Sequence, residues 1–438
     1  MIISNISNTS ISRREFLGTA LNGALGLAST TISLSASPAS LFGTPRPFNP
    51  NSLNLSTTSY KLVKSGKKQY PIVWLWLGGG FSHLDTFCLN NKAPEGIRTL
   101  YEPISTNDPG LKISEKLPRT ARIIHKTALL RNIYHTQGDH ELAVQRIFTS
   151  SDEKLNEKPR YLPYVVRLQQ HLGNDNLGYS IFQVSGFTYE GIGPNDGLKI
   201  IKNNLPNSDD MPFISPAGAE FDRQRHRGRM SLQEQINKGN KLTSPQIQKM
   251  EQHYQTADKI FDGPINNAFD LSKVDPRVRD RYGRSDIGNA ALITKRMVEA
   301  GTPQVLINHG GWDDHSHINE SLDTKLPVLD LALSALLKDL LDQAIIVVGS
   351  EFGRTPKING LQGRDHWPFS NFMIIAGPSV TPRVVGNIDN YGHIIGPDGK
   401  YQAEYIGATV FKAAGYELVE ERNGLSTKEK MSYYPIFD

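Results

Sequence analysis

Apolar runs of five to eight residues, each closed by glycine or polar residues, recur along the chain. Residues 70–77 read Tyr-Pro-Ile-Val-Trp-Leu-Trp-Leu and open into Gly78-Gly79-Gly80. A continuous apolar run of that length predicts a strand buried on both faces. Further strands are predicted over 128–133, 179–184, 304–308, 344–349 and 372–376. Between them, helical spacing of apolar positions predicts helices over about 141–150, 287–300, 326–341 and 405–414, the second closed by Gly301. Strands alternating with helices imply an α/β fold, a mainly parallel sheet covered on both faces.

Two stretches break the pattern. Residues 40–69 are polar and rich in Pro, Ser and Asn, a linker or arm. Residues 200–285 are polar and rich in Gln, Asn, Lys and Arg, and read as a mostly helical insertion, with a lid over the site as one expectation for it. Its basic run Arg223, Arg225, Arg227 and Arg229 reads as a solvated helix face in preference to anion capture.

The N-terminus reads as an address. Arg13-Arg14 precede Phe16-Leu17 and an uncharged stretch over 16–45, which glycine, serine and threonine dilute too far for a stable membrane span. This is the pattern of a twin-arginine export signal over residues 1–39, with Ala36 and Ala39 offering small residues for cleavage. The expected location is periplasmic or secreted, with the twin-arginine export machinery as a partner. A retained membrane anchor is the other reading of the same stretch.

Composition narrows the function. The chain has 438 residues, with 48 Lys+Arg against 44 Asp+Glu, so its formal charge of +4 leaves no concentrated basic footprint for nucleic acid. A single cysteine, Cys88, rules out an internal disulfide framework and any site built on several cysteines. Oligomeric state is not legible.

In parallel sheets, sites gather beyond the carboxyl ends of the strands. There the sequence places His83 and Asp85, then His135, Asp139 and His140, then His309, Asp313, Asp314, His315 and His317, then Glu351 and Arg354, and finally Arg364, Asp365 and His366. Seven of the twelve histidines fall in these segments, each near a carboxylate, a mixture that suits a divalent metal ion. Any one of these histidines alone is more often a satisfied loop residue than a ligand. The densest cluster, Asp313 to His317, is the hardest to dismiss, and Trp312 beside it reads as packing. Gly78-Gly79-Gly80 lacks a nucleotide-loop pattern.

Four motifs in order carry a resemblance: Gly79-Gly80-Phe81-Ser82-His83-Leu84-Asp85-Thr86-Phe87, Gly310-Gly311-Trp312-Asp313-Asp314-His315, Gly349-Ser350-Glu351-Phe352-Gly353-Arg354-Thr355-Pro356 and Gly363-Arg364-Asp365-His366-Trp367-Pro368. Over residues 71–416 the chain resembles the domain of unknown function 1501 family, whose members commonly carry a twin-arginine signal. That family is similar to the alkaline phosphatase and sulfatase superfamily. The resemblance implies a three-layer α/β/α sandwich over residues 70–438 with metal ligands at strand ends. It implies Asp85, Asp313, His315, Glu351, Asp365 and His366 as ligands of one or two divalent ions (zinc, calcium, magnesium or manganese), with His83, His135 and His317 as further candidates. The superfamily's nucleophile position is the departure. Asp139-His140-Glu141 stands at that helix start and Thr136 is the nearest hydroxyl. The reading is therefore a metal-activated water as nucleophile, His140 or Asp139 as general base, and Arg354 or Arg364 holding the anionic group.

The expected function is hydrolysis of a phosphate or sulfate ester, small-molecule or polysaccharide. A non-catalytic metal- or ligand-binding protein of the cell envelope is the alternative, and a lyase acting on sulfated polysaccharide is a third reading.

Overall fold

Along Ile72–Trp76 (β1) successive side chains turn to opposite faces of a sheet, and all five are buried. Val73 and Leu75 share a core with residues of the helices Asp286–Glu299 and Ile318–Leu340, whereas Ile72, Trp74 and Trp76 share another with residues of His140–Thr149 and Tyr405–Ala413. A strand with two apolar faces needs a helical layer on each, so the result is an α/β/α sandwich. We name the helices α1 (His140–Thr149), α2 (Pro276–Tyr282), α3 (Asp286–Glu299), α4 (Ile318–Leu340) and α5 (Tyr405–Ala413).

This computed structural model describes residues 58–149, 179–185, 198–201, 267–403, 405–422, 425–427 and 433–437, with a few helical positions between 228 and 235. The export signal, the basic run apart from Gly228, and most of the 200–285 insertion lie outside the described residues; its described part over 267–285 includes α2. By backbone contacts the chain divides into Met1–Thr57 with Ser215–Tyr254, and Thr58–Ile214 with Gln255–Asp438. Every element below belongs to the second unit. No helix among the described residues is long and apolar enough to cross a membrane.

The remaining strands of the central sheet are β2 (Ala128–Tyr134), β3 (Tyr179–Ser185), β4 (Leu198–Ile201), β5 (Gln304–His309), β6 (Ile345–Gly349), β7 (Asn371–Ala376), β8 (Arg383–Val385) and β9 (Tyr401–Gln402). Their order is β8-β2-β7-β6-β1-β5-β3-β4, with β9 also on β2. β1 lies parallel between β5 and β6, Trp74 standing opposite Leu306 and Val347. β7 runs antiparallel to both β2 and β6. The chain therefore enters β7 at the edge where the parallel strands end, which brings residues 350–370 to the same edge as the other post-strand loops.

α1 is seated on the sheet by Val144, Ile147 and Phe148, all buried, with the Phe148 ring 5.1 Å from Trp74 and 4.8 Å from Trp76. α4 starts eight residues earlier than the apolar period from residue 326 marks. Pro327 interrupts the propensity signal, yet Ile318, Leu322, Leu326, Leu329, Leu333, Leu336 and Leu340 form one continuous buried stripe. Inside α4 the buried Asp330 accepts the backbone N–H groups of Arg119 (2.9 Å) and Thr120 (2.7 Å), capping the short helix Pro118–Ala121. α2 is tied to α4 by the Arg281–Asp339 pair at 2.5 and 2.8 Å. Within the 40–69 arm, residues Thr58–Lys64 form a strand paired antiparallel with Tyr416–Arg422, and its Leu62 is buried in the same core as Trp74.

A candidate metal centre at the carboxyl edge of the sheet

Asp313 is the focus of the site. It follows β5, and Gly79 lets the post-β1 loop pass so close that a side chain there would meet the Asp313 nitrogen at 2.7 Å. Asp313 Oδ1 lies 2.5 Å from Arg354 Nη2, 3.1 Å from His315 Nε2 and 3.2 Å from His366 Nε2, and Oδ2 lies 3.4 Å from His140 Nε2. Three imidazoles thus turn the same nitrogen toward one carboxylate.

The opposite nitrogen of each ring is committed. His140, at the first turn of α1, has Nδ1 2.7 Å from Glu351 Oε1. His315 Nδ1 lies 2.8 Å from Asp365 Oδ1, and His366 Nδ1 lies 2.7 Å from the carbonyl of Gly138. Carboxylates and carbonyls only accept, so every Nδ1 carries a hydrogen, and in the neutral ring the Nε2 lone pair faces the cluster. A carboxylate or carbonyl behind the imidazole is the usual way a metal-binding histidine is oriented. His140, Asp313 and His366 offer ligand atoms that all lie within 4.8 Å of one another, and His315 Nε2 lies 2.9 Å from His366 Nε2. The donor chemistry fits a divalent ion.

Charge follows geometry. Burial by itself would lower the His140 pKa, but the hydrogen bonds to Asp313 and Glu351 outweigh it and raise it to about 9. Burial would likewise raise the Asp313 carboxyl. Its hydrogen bonds to His140, His366 and Arg354 instead hold it far below the ordinary carboxylate range. Asp365 is lowered by its hydrogen bonds from His315 and Asn359.

Several residues singled out in the sequence stand behind the cluster. Glu351 is fully buried directly after β6. Its Oε1 also accepts the Gly79 N–H at 2.7 Å, and the Ser350 hydroxyl lies 3.0 Å from Oε2. Arg354, fully buried, donates Nε–H to Gly80 O at 2.6 Å, Nη1–H to Arg364 O at 2.8 Å, and Nη2–H to Asp313 and the Gly79 carbonyl. Asp139 caps α1, accepting the Leu142 N–H at 3.1 Å.

Others are elsewhere. Asp85 and Arg364 meet each other in a fully buried pair, Nε to Oδ2 at 2.9 Å and Nη2 to Oδ1 at 3.1 Å. Asp85 further accepts the Ser82 hydroxyl and the Leu100 N–H, and Arg364 donates to the carbonyls of Thr355, Pro356 and Arg98. His135 places Nε2 2.6 Å from the Glu351 carbonyl and accepts the Gln137 N–H on Nδ1 at 3.1 Å. His83 is neutral, pushed down to about 3 by burial, and accepts the Arg354 N–H at 3.3 Å. His317 is exposed at the start of α4, in the left-handed region at φ 45°.

Three contributors carried no sequence signal as site residues. Phe352 stacks its ring 4.5 Å from His366 and 4.9 Å from His140, walling the cluster on its buried side. Gly138 acts only through its carbonyl. Asn359 sits in an Asn-Gly pair that reads as an ordinary turn.

A mainly parallel sheet between two helical layers, with imidazoles and a carboxylate gathered beyond its strand ends, defines an α/β/α protein with a candidate metal centre. The chain belongs to the family described as Protein of unknown function (DUF1501), whose model matches residues 69–420. No curated protein matches its sequence. Among solved structures it is similar to the C-terminal periplasmic domain of EcEptC from Escherichia coli in complex with Zn (TM-score 0.39, 11% identity, covering 83% of this chain and 86% of that one). It is also similar to a protein in the alkaline phosphatase superfamily from Vibrio parahaemolyticus (TM-score 0.42, 10% identity, 94% and 77% covered). The soluble domain of lipooligosaccharide phosphoethanolamine transferase A from Neisseria meningitidis is another (TM-score 0.38, 9% identity, 82% and 92% covered). The residue roles below rest on this chain's own geometry.

Proposed function

We propose that this chain is an exported, metal-dependent hydrolase of phosphate or sulfate esters. The observation that carries the reading is the common orientation of His140, His315 and His366, each with Nδ1 committed and Nε2 turned to Asp313. In this reading His140, Asp313 and His366 hold the ion and His315 closes the set from the open side. Three nitrogens and one oxygen favour zinc or a similar transition metal over calcium or magnesium. When bound, such an ion supplies Lewis-acid polarisation of the ester and of water.

The chain's own residues prepare that chemistry. Glu351 fixes the ring orientation of His140 and keeps its hydrogen on Nδ1. Arg354 holds Asp313 and the carbonyls of the two loops around it in one arrangement. Phe352 excludes water from the inner side of the histidines. Asp85 and Arg364 act as a clamp between loops, with no part in the reaction.

One observation favours the non-catalytic alternative. Arg354 and Arg364, expected to hold an anion, are both fully buried and donate to the chain itself. A single experiment separates the readings. Mature protein is purified without chelator, its metal content measured by mass spectrometry beside Asp313→Ala/His366→Ala, and nitrophenyl phosphate and sulfate are assayed before and after metal removal. Bound metal, lost in the double variant, with ester turnover that needs it, supports the hydrolase. Bound metal without turnover of either ester favours the binding protein, and no metal in well-folded protein sinks the hydrolase and leaves a ligand-binding protein in front.

A further inference from the structure

Asn359 lies in the loop between β6 and β7, outside the motifs that marked the site. Its side-chain amide has two donors and two acceptor sites, and all four are used. Nδ2 donates to the His315 carbonyl and to Asp365 Oδ1, both at 3.0 Å, and Oδ1 accepts the N–H groups of Leu361 and Gly363, both at 2.9 Å. Asp365 Oδ1 is the same atom that faces His315 Nδ1 at 2.8 Å. One amide therefore fixes both the backbone of His315 and the carboxylate that orients its ring.

The surroundings leave this segment little room to relax. Gly363 passes so close to His315 that a side chain there would meet its carbonyl carbon at 2.1 Å. The two segments are further joined by His317 N–H to the Leu361 carbonyl and Ile318 N–H to the Gln362 carbonyl, both at 3.0 Å. His317 and Gln362 are the non-glycine residues with positive φ, 45° and 61°, among the described residues. Strain of that kind persists only where surrounding contacts over-determine the backbone.

We infer that Asn359 is a positioning residue of the metal centre, acting on the ion through His315 and Asp365. This rests on the metal reading above. Removing the amide frees the Asp365 carboxylate to turn to solvent and His315 to leave the set, while His140, Asp313 and His366 stay in place. Loss of an outer partner of this sort typically weakens metal affinity about 10- to 100-fold.

The test uses cobalt(II) as the probe, with affinity by competition titration and coordination by visible absorption, on the wild type, Asn359→Ala, His315→Ala and the double variant. Asn359→Ser is the second variant, since serine can keep the turn through its hydroxyl but cannot reach Asp365 and the His315 carbonyl together. Asn359→Ala and Asn359→Ser are expected to lose about tenfold in affinity and to change the cobalt spectrum as His315→Ala does. In the His315→Ala background, Asn359→Ala should add nothing. Wild-type affinity in both Asn359 variants would overturn the inference and leave the metal reading intact. So would a loss that persists undiminished without His315, because it would mark general loosening of the loop. Wild-type protein that binds no cobalt overturns both.

Discussion

His140 shows how one side chain's neighbours decide its role. Read from the sequence, it stood at a helix start as a base; in the structure its two nitrogens face Glu351 at 2.7 Å and Asp313 at 3.4 Å. In metal-free protein it is held protonated, raised to about 9. A histidine raised on folding stabilises the fold fully below its ordinary 6.5, and that contribution is lost as pH rises through about 9. Chelator-treated wild type should therefore lose melting temperature between pH 6.5 and 9, and His140→Ala should show a flatter profile over that window. Equal slopes would show that the two carboxylates do not hold the imidazolium. Arg364 gives a second contrast. As half of a buried pair, its removal leaves Asp85 uncompensated, so Arg364→Ala should destabilise by about 3–5 kcal/mol in urea unfolding. A folded, stable Arg364→Ala that merely binds an anionic ester poorly would restore the anion-holding role.

Among elements, the short helix Pro118–Ala121 depends on a residue more than two hundred positions away. Asp330 of α4 accepts its first two free N–H groups in a buried position. Asp330→Ala should lower stability by about 2–3 kcal/mol through those orphaned donors, while metal content stays at the wild-type value. Elements were the most legible level of the sequence, and for a physical reason. Strands buried on both faces carry near-continuous apolar runs, so β1, β2, β5, β6 and β7 announced themselves by composition even where a polar residue interrupts or ends the run. The direction of β7 was not legible, because an apolar run has no polarity of its own. The start of α4 was hidden by Pro327. At the site, the residue types and their segments could be read, since histidines and carboxylates cluster after strands. Their pairing could not. Asp85 and Asp313 look alike in sequence, and what separates them is that Arg364 reaches one and three imidazoles reach the other.

For the whole molecule, the fold collects residues from positions 79 to 366 at one edge of a single sheet, and the address that would carry it out of the cell lies outside the described residues. If Arg13-Arg14 is that address, Arg13→Lys/Arg14→Lys should leave the protein in the cytoplasm, folded and unprocessed, in a fractionation experiment. Processing and export of the double variant at the wild-type rate would remove the twin-arginine pathway from the account.

The reversed strand β7 has a consequence for the integrity of the chain. Residues 350–370 leave β6 and enter β7 at the same edge, so each end of that loop is sewn into the sheet. Leu361, near its middle, is 65% exposed, although its N–H donates to Asn359 and its carbonyl accepts the His317 N–H. A cut between Gly360 and Leu361 would give two polypeptides, one bearing His140, Asp313 and His315, the other bearing Asp365 and His366, each still woven into a common sheet. Such a nicked protein should elute as one particle and separate only on denaturation. The candidate metal centre would then be an interface between two chains.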